Sequence, residues 1–343
     1  MIYTEYIKIV NSVVHIVGNK SNDEGLFLSD NLLELDPATS SILTNYLLSP
    51  FKNENYYRFW HESDLSLNEI FSFSQAIFSD SDSFHNNSAF IARHLYAKST
   101  HPKIKSGELC VVHFRNVIID TDTCDAIGIF KSESKDTFLK IRKDGGRTLM
   151  QSEEGINVNR LDKGCLIFNK KKDDGYVVMV VDNTNKQAEA KYWTDEFLKV
   201  KPINNSYNQT ESLISITREF IATMPSLDGK VEKAYMVNRS LEALKTEHLD
   251  FSTYSEQVFQ NPEIQDKFKE YSNRRTEEIG VSFSDGIQPS TEAVRKKGIG
   301  SMTTIKLDKN FDVNIHGGEQ FIERGYDEEK GMRYYKLYFN EEK

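Results

Sequence analysis

Among the residues able to do chemistry, the carboxylates come closest to a pattern. Asp120-Thr121-Asp122-Thr123-Cys124-Asp125 sets three of them at alternate or near-alternate positions beyond an apolar run. Hard oxygen ligands brought together in that way, with Glu108 as a further group, can hold Mg²⁺ for phosphodiester hydrolysis. A solvated turn between Ile119 and Ala126 calls for the same Asp and Thr content and is the simpler reading, so no metal site is assigned. The eight histidines, at 15, 61, 85, 94, 101, 113, 248 and 316, show no H-x-x-x-H or H-E-x-x-H spacing. His94 and His101 stand seven apart on an expected helix without a third ligand in register. Cys110, Cys124 and Cys165 are an odd count without C-x-x-C spacing, which argues against a disulfide framework and a cysteine-built zinc site. Half-buried reduced thiols are expected. There is no G-x-S-x-G elbow, no P-loop lysine and no G-x-G-x-x-G after a strand, and Gly298-Ile299-Gly300-Ser301 lacks the Lys-Ser or Lys-Thr that would complete a phosphate loop. These spacings supply no recognised catalytic or phosphate-loop motif.

Positive charge is local. From Lys131 to Arg147 the basic residues Lys131, Lys135, Lys140, Arg142, Lys143 and Arg147 outnumber Glu133, Asp136 and Asp144, and Lys170-Lys171-Lys172 forms a second cluster. Both fall at expected hairpin tips, and tips of one meander can share a rim, where Lys140, Arg142, Lys143, Arg147, Lys170, Lys171 and Lys172 would make a phosphate-binding edge. Lysines at exposed turns also serve simply to block edge pairing. Arg274-Arg275 and Arg295-Lys296-Lys297 read as solvated helix ends.

The elements that must position these groups can be read from periodicity. Apolar and polar residues alternate in pieces up to residue 35, giving two or three short strands. Asp36-Pro37 starts a helix running to about Leu48; Ser66-Leu67-Asn68-Glu69 reads as a capping box for a second helix, and the rhythm of Phe90, Ile91, His94 and Leu95 gives a third. The period then changes to two. Leu109 to Ile119, Ala126 to Phe130, Thr137 to Lys143, Arg147 to Gln151, Gly164 to Asn169 and Tyr176 to Asp182 form an antiparallel meander turned at Lys143-Asp144-Gly145-Gly146 and Lys172-Asp173-Asp174-Gly175. Helical spacing returns after Trp193, with Asn261-Pro262 capping a later helix. The chain ends in strands at Met302 to Leu307, Phe311 to His316 and Arg333 to Phe339, expected to form one small sheet. The expected fold class is α+β: residues 1–200 as a mixed domain with a central antiparallel meander and flanking helices, and residues 201–343 as a helix-rich domain ending in short strands. The boundary sits at Lys201-Pro202-Ile203-Asn204-Asn205-Ser206.

Composition narrows the partners. The 343 residues carry a formal charge of −9, and acidic residues outnumber basic ones on both sides of residue 200, so any nucleic-acid face has to be local. The longest apolar runs, such as Val177 to Val181, fall far short of the roughly 20 residues of a membrane span. Met1-Ile2-Tyr3-Thr4-Glu5 has no basic or apolar leader, so an intracellular protein without a membrane is expected.

In the order of its segments the chain resembles the NdpA-like family of bacterial nucleoid-associated proteins. The sharpest local points are Gly155-Ile156-Asn157-Val158-Asn159-Arg160-Leu161-Asp162 ahead of Gly164-Cys165-Leu166-Ile167, and the ending Phe311-Asp312-Val313-Asn314-Ile315 with Tyr326-Asp327 and the strand Tyr334 to Phe339. The resemblance implies a cytoplasmic, nucleoid-associated protein that binds double-stranded DNA without catalysis or cofactor; it transfers no residue-level site. Two other classes stand beside it: a scaffold for chromosome-associated proteins, which fits the net acidity, and a Mg²⁺-dependent nuclease built on Asp120, Asp122, Asp125 and Glu108.

Overall fold

Long apolar runs decide the layout of the first part of the chain. The structure is a computed structural model and describes residues 6–52, 55–119, 122–184, 192–224, 230–284, 286–298, 304–307, 309–314 and 321–341. The chain packs as two compact units, residues 1–203 and 204–343.

In the first unit, β1 (Lys8–Val17), β2 (Leu26–Phe27), β3 (Tyr56–Phe59), β4 (Gly107–Ile119), β5 (Asp122–Ser132), β8 (Lys163–Phe168), β9 (Val177–Asp182) and β10 (Val200–Pro202) form one sheet in the order β10-β3-β9-β8-β5-β4-β1-β2. Every neighbouring pair is antiparallel. An antiparallel sheet commonly leaves one face in water. This one does not. Leu109, Val111, Ile127, Ile129, Cys165 and Ile167 point to a core closed by α2 (Glu69–Ser79), α3 (Phe84–Lys98) and a π-helical segment, Tyr192–Leu198, that contributes Trp193 and Phe197. The intervening residues Cys110, Val112, Phe114, Phe130, Leu166 and Phe168 pack on the opposite face against Tyr46, Leu47 and Leu48 of α1 (Pro37–Leu48) and against Phe51. Burial on both faces explains why β4, β8 and β9 read as nearly continuous apolar runs.

Three local expectations change. Asp36 caps α1, accepting from Thr39 N–H at 2.9 Å with Pro37 behind it, as its sequence suggests. The cap of α2 is Asn68 instead of Ser66: its Oδ1 accepts from Phe71 N–H at 3.0 Å while its Nδ2 donates to the carbonyls of Trp60, Leu198 and Lys199. A side-chain amide can both accept and donate, and a serine cannot fill all these places. The helix with His94 stops at Lys98, so His101 shares no face with it. Cys110 and Cys165 are fully enclosed, not half-buried, and burial pushes the Cys110 thiol up to about 12.

His15 on β1 is fully buried. Ser29 N–H donates to its Nδ1 at 3.1 Å, and its Nε2 lies 3.1 Å from Ser88 Oγ, whose own hydrogen goes to the His85 carbonyl. These contacts suit a neutral ring protonated at Nε2. Burial, reinforced by His85 and Arg93, holds its pKa down to about 4. Well above pH 6.5 the residue is neutral folded and unfolded and contributes no pH dependence. Below that, the unfolded chain binds a proton that the folded one refuses, so stability is expected to fall toward pH 4 by up to about 3 kcal/mol. Urea midpoints measured between pH 7.5 and 4.5 should drop less steeply in His15→Gln than in the wild type; equal slopes would remove His15 from the acid response.

The second unit is built on α4 (Ser206–Thr223), α5 (Lys230–Ala243), α6 (Phe251–Val258), α7 (Pro262–Ile279) and α8 (Thr291–Gly298). Leu213, Phe220, Met236, Phe259 and Phe268 fill its core, and the buried Tyr254 hydroxyl is bonded to Thr217 and Ser240 at 2.8 Å each. Asn261 caps α7 ahead of Pro262, as expected. The terminal strands do not make one sheet. Among the described residues they form two separate ribbons, β11 (Thr304–Leu307) with β12 (Phe311–Asn314) and β13 (Ile322–Asp327) with β14 (Met332–Leu337). Ala234 and Tyr235 of α5 give them a shared apolar seat through Leu307, Val313, Ile322 and Tyr335, which replaces the strand pairing.

Candidate nucleic-acid interface

Residues 135–156 leave the sheet altogether. β6 (Lys135–Asp144) and β7 (Arg147–Ile156) pair only with each other, from Lys135↔Ile156 to Asp144↔Arg147, between the end of β5 and the start of β8. Nearly every residue along both strands is exposed, so the ribbon projects from the sheet over ten residues, about 33 Å. Its tip is the two-residue loop Gly145-Gly146. Gly145 has φ +57°, the left-handed value that the first loop position of a II′ hairpin requires and that glycine adopts without strain.

The root is held by charge. Asp162 Oδ2 accepts from the backbone N–H groups of Glu133 at 2.6 Å and Ser134 at 2.8 Å, and Asn157 donates to Asp136 at 2.6 Å. Beneath it lie two lysines directly opposite each other on β5 and β8, Lys131 and Lys163, both fully buried. Glu133 stands between them, 3.0 Å from Lys131 Nζ and 4.0 Å from Lys163 Nζ; Lys163 also binds Asp182 at 2.9 Å and Thr184. Lys131 gives a further hydrogen bond to the Lys105 carbonyl at 2.6 Å, and both ammonium groups face the Tyr192 ring. Burial pulls the Lys131 ammonium down from its usual value and pushes the Tyr192 hydroxyl up.

This arrangement removes most of the basic charge that the sequence offers. Lys131 is in the core, Lys135 is paired with Glu108 at 2.6 Å, and Glu153 holds both Lys140 at 3.2 Å and Arg142 at 3.5 Å. Lys143 and Arg147 are left at the tip, without an ion pair among the described residues. Alternation sorts the two faces. One carries Lys140, Arg142 and Arg147 with Glu153, Asp136 and Asp144 and the apolar Phe138 and Leu149, both less exposed than Leu139, Ile141 or Met150; the other carries Leu139, Ile141, Met150 and Ile156 between Lys135 and Lys143, with Glu154 as its acid. Leu139, Ile141 and Met150 are 66%, 62% and 62% exposed.

The second cluster lies elsewhere. Lys170, Lys171 and Lys172 occupy the turn between β8 and β9, closed by Gly175 at φ +95°, where a Cβ would stand 2.4 Å from the Phe59 carbonyl. Lys170 binds Asp122 at 2.7 Å, and the exposed Lys171 and Lys172 are followed by Asp173 and Asp174. The ribbon root is at the Lys163 end of β8 and this turn follows Phe168, so about 20 Å of strand separates them. The expectation that the two tips share a rim does not hold at their bases. Among the smaller patches, Arg275 is tied to Glu219 and Glu278, and Lys297 to Glu211.

A family model described as nucleoid-associated protein YejK matches residues 13–331, from β1 through the turn between β13 and β14. The chain belongs to this family. No curated protein matches it. The motif Gly155 to Asp162, which carries the resemblance to nucleoid-associated proteins in the sequence, is the descending end of the ribbon and the aspartate that clamps its root. In this YejK-family chain the carboxylates considered for a metal do not assemble among the described residues. Asp120 lies outside the described residues; Asp122 is engaged by Lys170, and Asp125 faces His113 at 3.5 Å and Arg115 at 3.9 Å. Glu108 pairs with Ser132 at the far end of β5 from Asp122. Among the described residues no three His, Cys, Asp or Glu side chains come together as metal ligands, and no helix is long and apolar enough to cross a membrane. The sequence reading missed the apolar row of the ribbon, whose alternation with Lys140 and Arg142 looks identical to that of a half-buried strand.

Proposed function

We propose that the chain is a non-catalytic DNA-binding protein of the bacterial nucleoid, holding double-stranded DNA through the β6–β7 ribbon with little sequence preference. The observation that carries this reading is a pair of cations, Lys143 and Arg147, on the tip of an exposed arm. Net charge of −9 opposes phosphate binding by the body of the protein. At physiological salt the Debye length is about 8 Å, so an arm of about 33 Å carries its tip roughly four screening lengths from the sheet of the first unit and the carboxylates at its root. Contacts to phosphate position a protein without reading bases. Lys171 and Lys172 offer a second phosphate contact at the other end of β8, and Lys140, Arg142 and Lys170 come into play only by exchanging their carboxylate partners. On this reading the protein works in the cytoplasm on the nucleoid and needs no cofactor.

Fluorescence anisotropy with unrelated duplexes tests it. Lys143→Ala with Arg147→Ala should weaken binding to all sequences about equally and flatten log K against log salt by about 0.9 for each phosphate no longer neutralised, roughly 1.8 together. Lys171→Ala with Lys172→Ala should produce the same kind of change if the turn participates. An unchanged slope for both pairs would assign these residues to edge protection and favour the alternative, a scaffold for chromosome-associated proteins that uses the apolar row.

A further inference from the structure

Resting on that reading, we infer that the apolar face of the ribbon is a wedge: Ile141 and Met150 enter the minor groove of bound duplex DNA, part a base step and bend the double helix. Ile141 and Met150 are direct cross-strand partners, with Leu139 one step nearer the root and Lys143 one step nearer the tip on the same face. A two-stranded ribbon alone is only marginally stable in water, and exposing these side chains adds to its cost, so the face calls for an occupant.

A second copy of the chain fits poorly. A face about 33 Å long and about 10 Å wide offers roughly 330 Å², against the roughly 800 Å² per partner of a standard interface. Duplex DNA fits the charge. The apolar face carries Lys143 and Lys135 against Glu154 alone, so Lys143, and Lys135 once it leaves Glu108, can reach phosphates flanking the apolar side chains. The opposite face sets Glu153, Asp136 and Asp144 against Lys140, Arg142 and Arg147, offers no excess of positive charge and would leave the row in water. The major groove is the wrong floor for such a row. Aliphatic groups there would strip water from base-edge donors and acceptors without replacing the hydrogen bonds, a cost of about 1–3 kcal/mol for each group. Between base pairs the same side chains meet the apolar faces of the bases, and the cost of unstacking is recovered by the larger protein surface that a bent duplex wraps.

The chemistry predicts a preference in deformability: steps such as TA and CA, which part easily, should be bound better than stiff A-tracts of equal length. The test is energy transfer between dyes at the two ends of a duplex of about 30 base pairs, titrated with the full-length chain. Binding of the wild type should raise transfer. Ile141→Thr with Met150→Thr, which keeps residues suited to strands, should still bind with the wild-type salt slope yet lose that rise, because the slope follows phosphates and the bend follows the wedge. Circular dichroism should show both proteins equally folded. Binding of the wild type without any change in transfer, or a bend kept by the double variant, overturns the wedge and leaves the DNA reading standing. No binding at all overturns both. A self-association seen by sedimentation in the wild type and lost in the double variant, with DNA bending unaffected, would hand the face to a second copy and also overturn the wedge.

Discussion

Replacing Glu133 with alanine is expected to lower the unfolding free energy by about 3–5 kcal/mol, a large share of the stability of an ordinary domain. Glu133 is the carboxylate between two buried ammonium groups that face each other across β5 and β8, and like charges placed directly opposite destabilise a sheet pair. Without it, Lys163 keeps Asp182 and Thr184, but among the described residues Lys131 keeps the Lys105 carbonyl, the Tyr192 ring and the more distant charge of Glu24. The buried positive charge then has no carboxylate in ion-pair contact, and most of what offset its desolvation is gone. Urea unfolding of Glu133→Ala checks the size of the loss. Adding Lys131→Met to that variant should restore much of it, because a well-packed apolar side chain needs no counter-charge. A Glu133→Ala protein within about 1 kcal/mol of the wild type would show that the cluster is solvated and does not anchor the ribbon root.

The lysine pair also marks the limit of what the residues reveal before folding. Lysine is almost never fully buried unless paired, and nothing local tells Lys131 or Lys163 from the exposed lysines beside them. Their pairing is set by the registers of β5, β8 and β9, which bring in Glu133 and Asp182. Signals that act within a few residues were legible. Asp36-Pro37 and Asn261-Pro262 start helices where they should, and Gly145 and Gly175 turn hairpins where positive φ is needed. Asn68 displaced the expected Ser66 cap because carbonyls more than a hundred residues away, on Leu198 and Lys199, also required a donor. The departure of β6 and β7 from the meander was hidden for a related reason. Alternating residues specify a strand with two unlike faces, and only the absence of a packing neighbour turns that strand into an arm. The apparent basic patch was overcounted because Glu108 and Glu153, lying outside the stretch from Lys131 to Arg147, neutralise Lys135, Lys140 and Arg142.

Removing the arm should have the largest effect on binding. Lys135 and Ile156 are direct partners at the root, so deleting residues 136–155 and joining the two ends through Asn-Gly recreates a two-residue hairpin. The ribbon's side chains are almost all exposed, and the excision stops short of Glu133 and Asp162, so the melting temperature should barely move. Affinity for duplex DNA should fall to background, because sequence-independent binding is supplied almost entirely by phosphate contacts, the free cations of the arm leave with it, and Lys171 and Lys172, with Asp173 and Asp174 beside them, are too few to hold a duplex alone. The most direct measurement is an anisotropy titration of one unrelated-sequence duplex with the intact and the armless chain, at about 50 and about 200 mM salt. Tight, strongly salt-dependent binding by the intact chain and none by a folded armless chain is the result expected of a DNA-holding arm. Equal affinity and equal salt dependence in the two proteins would contradict it.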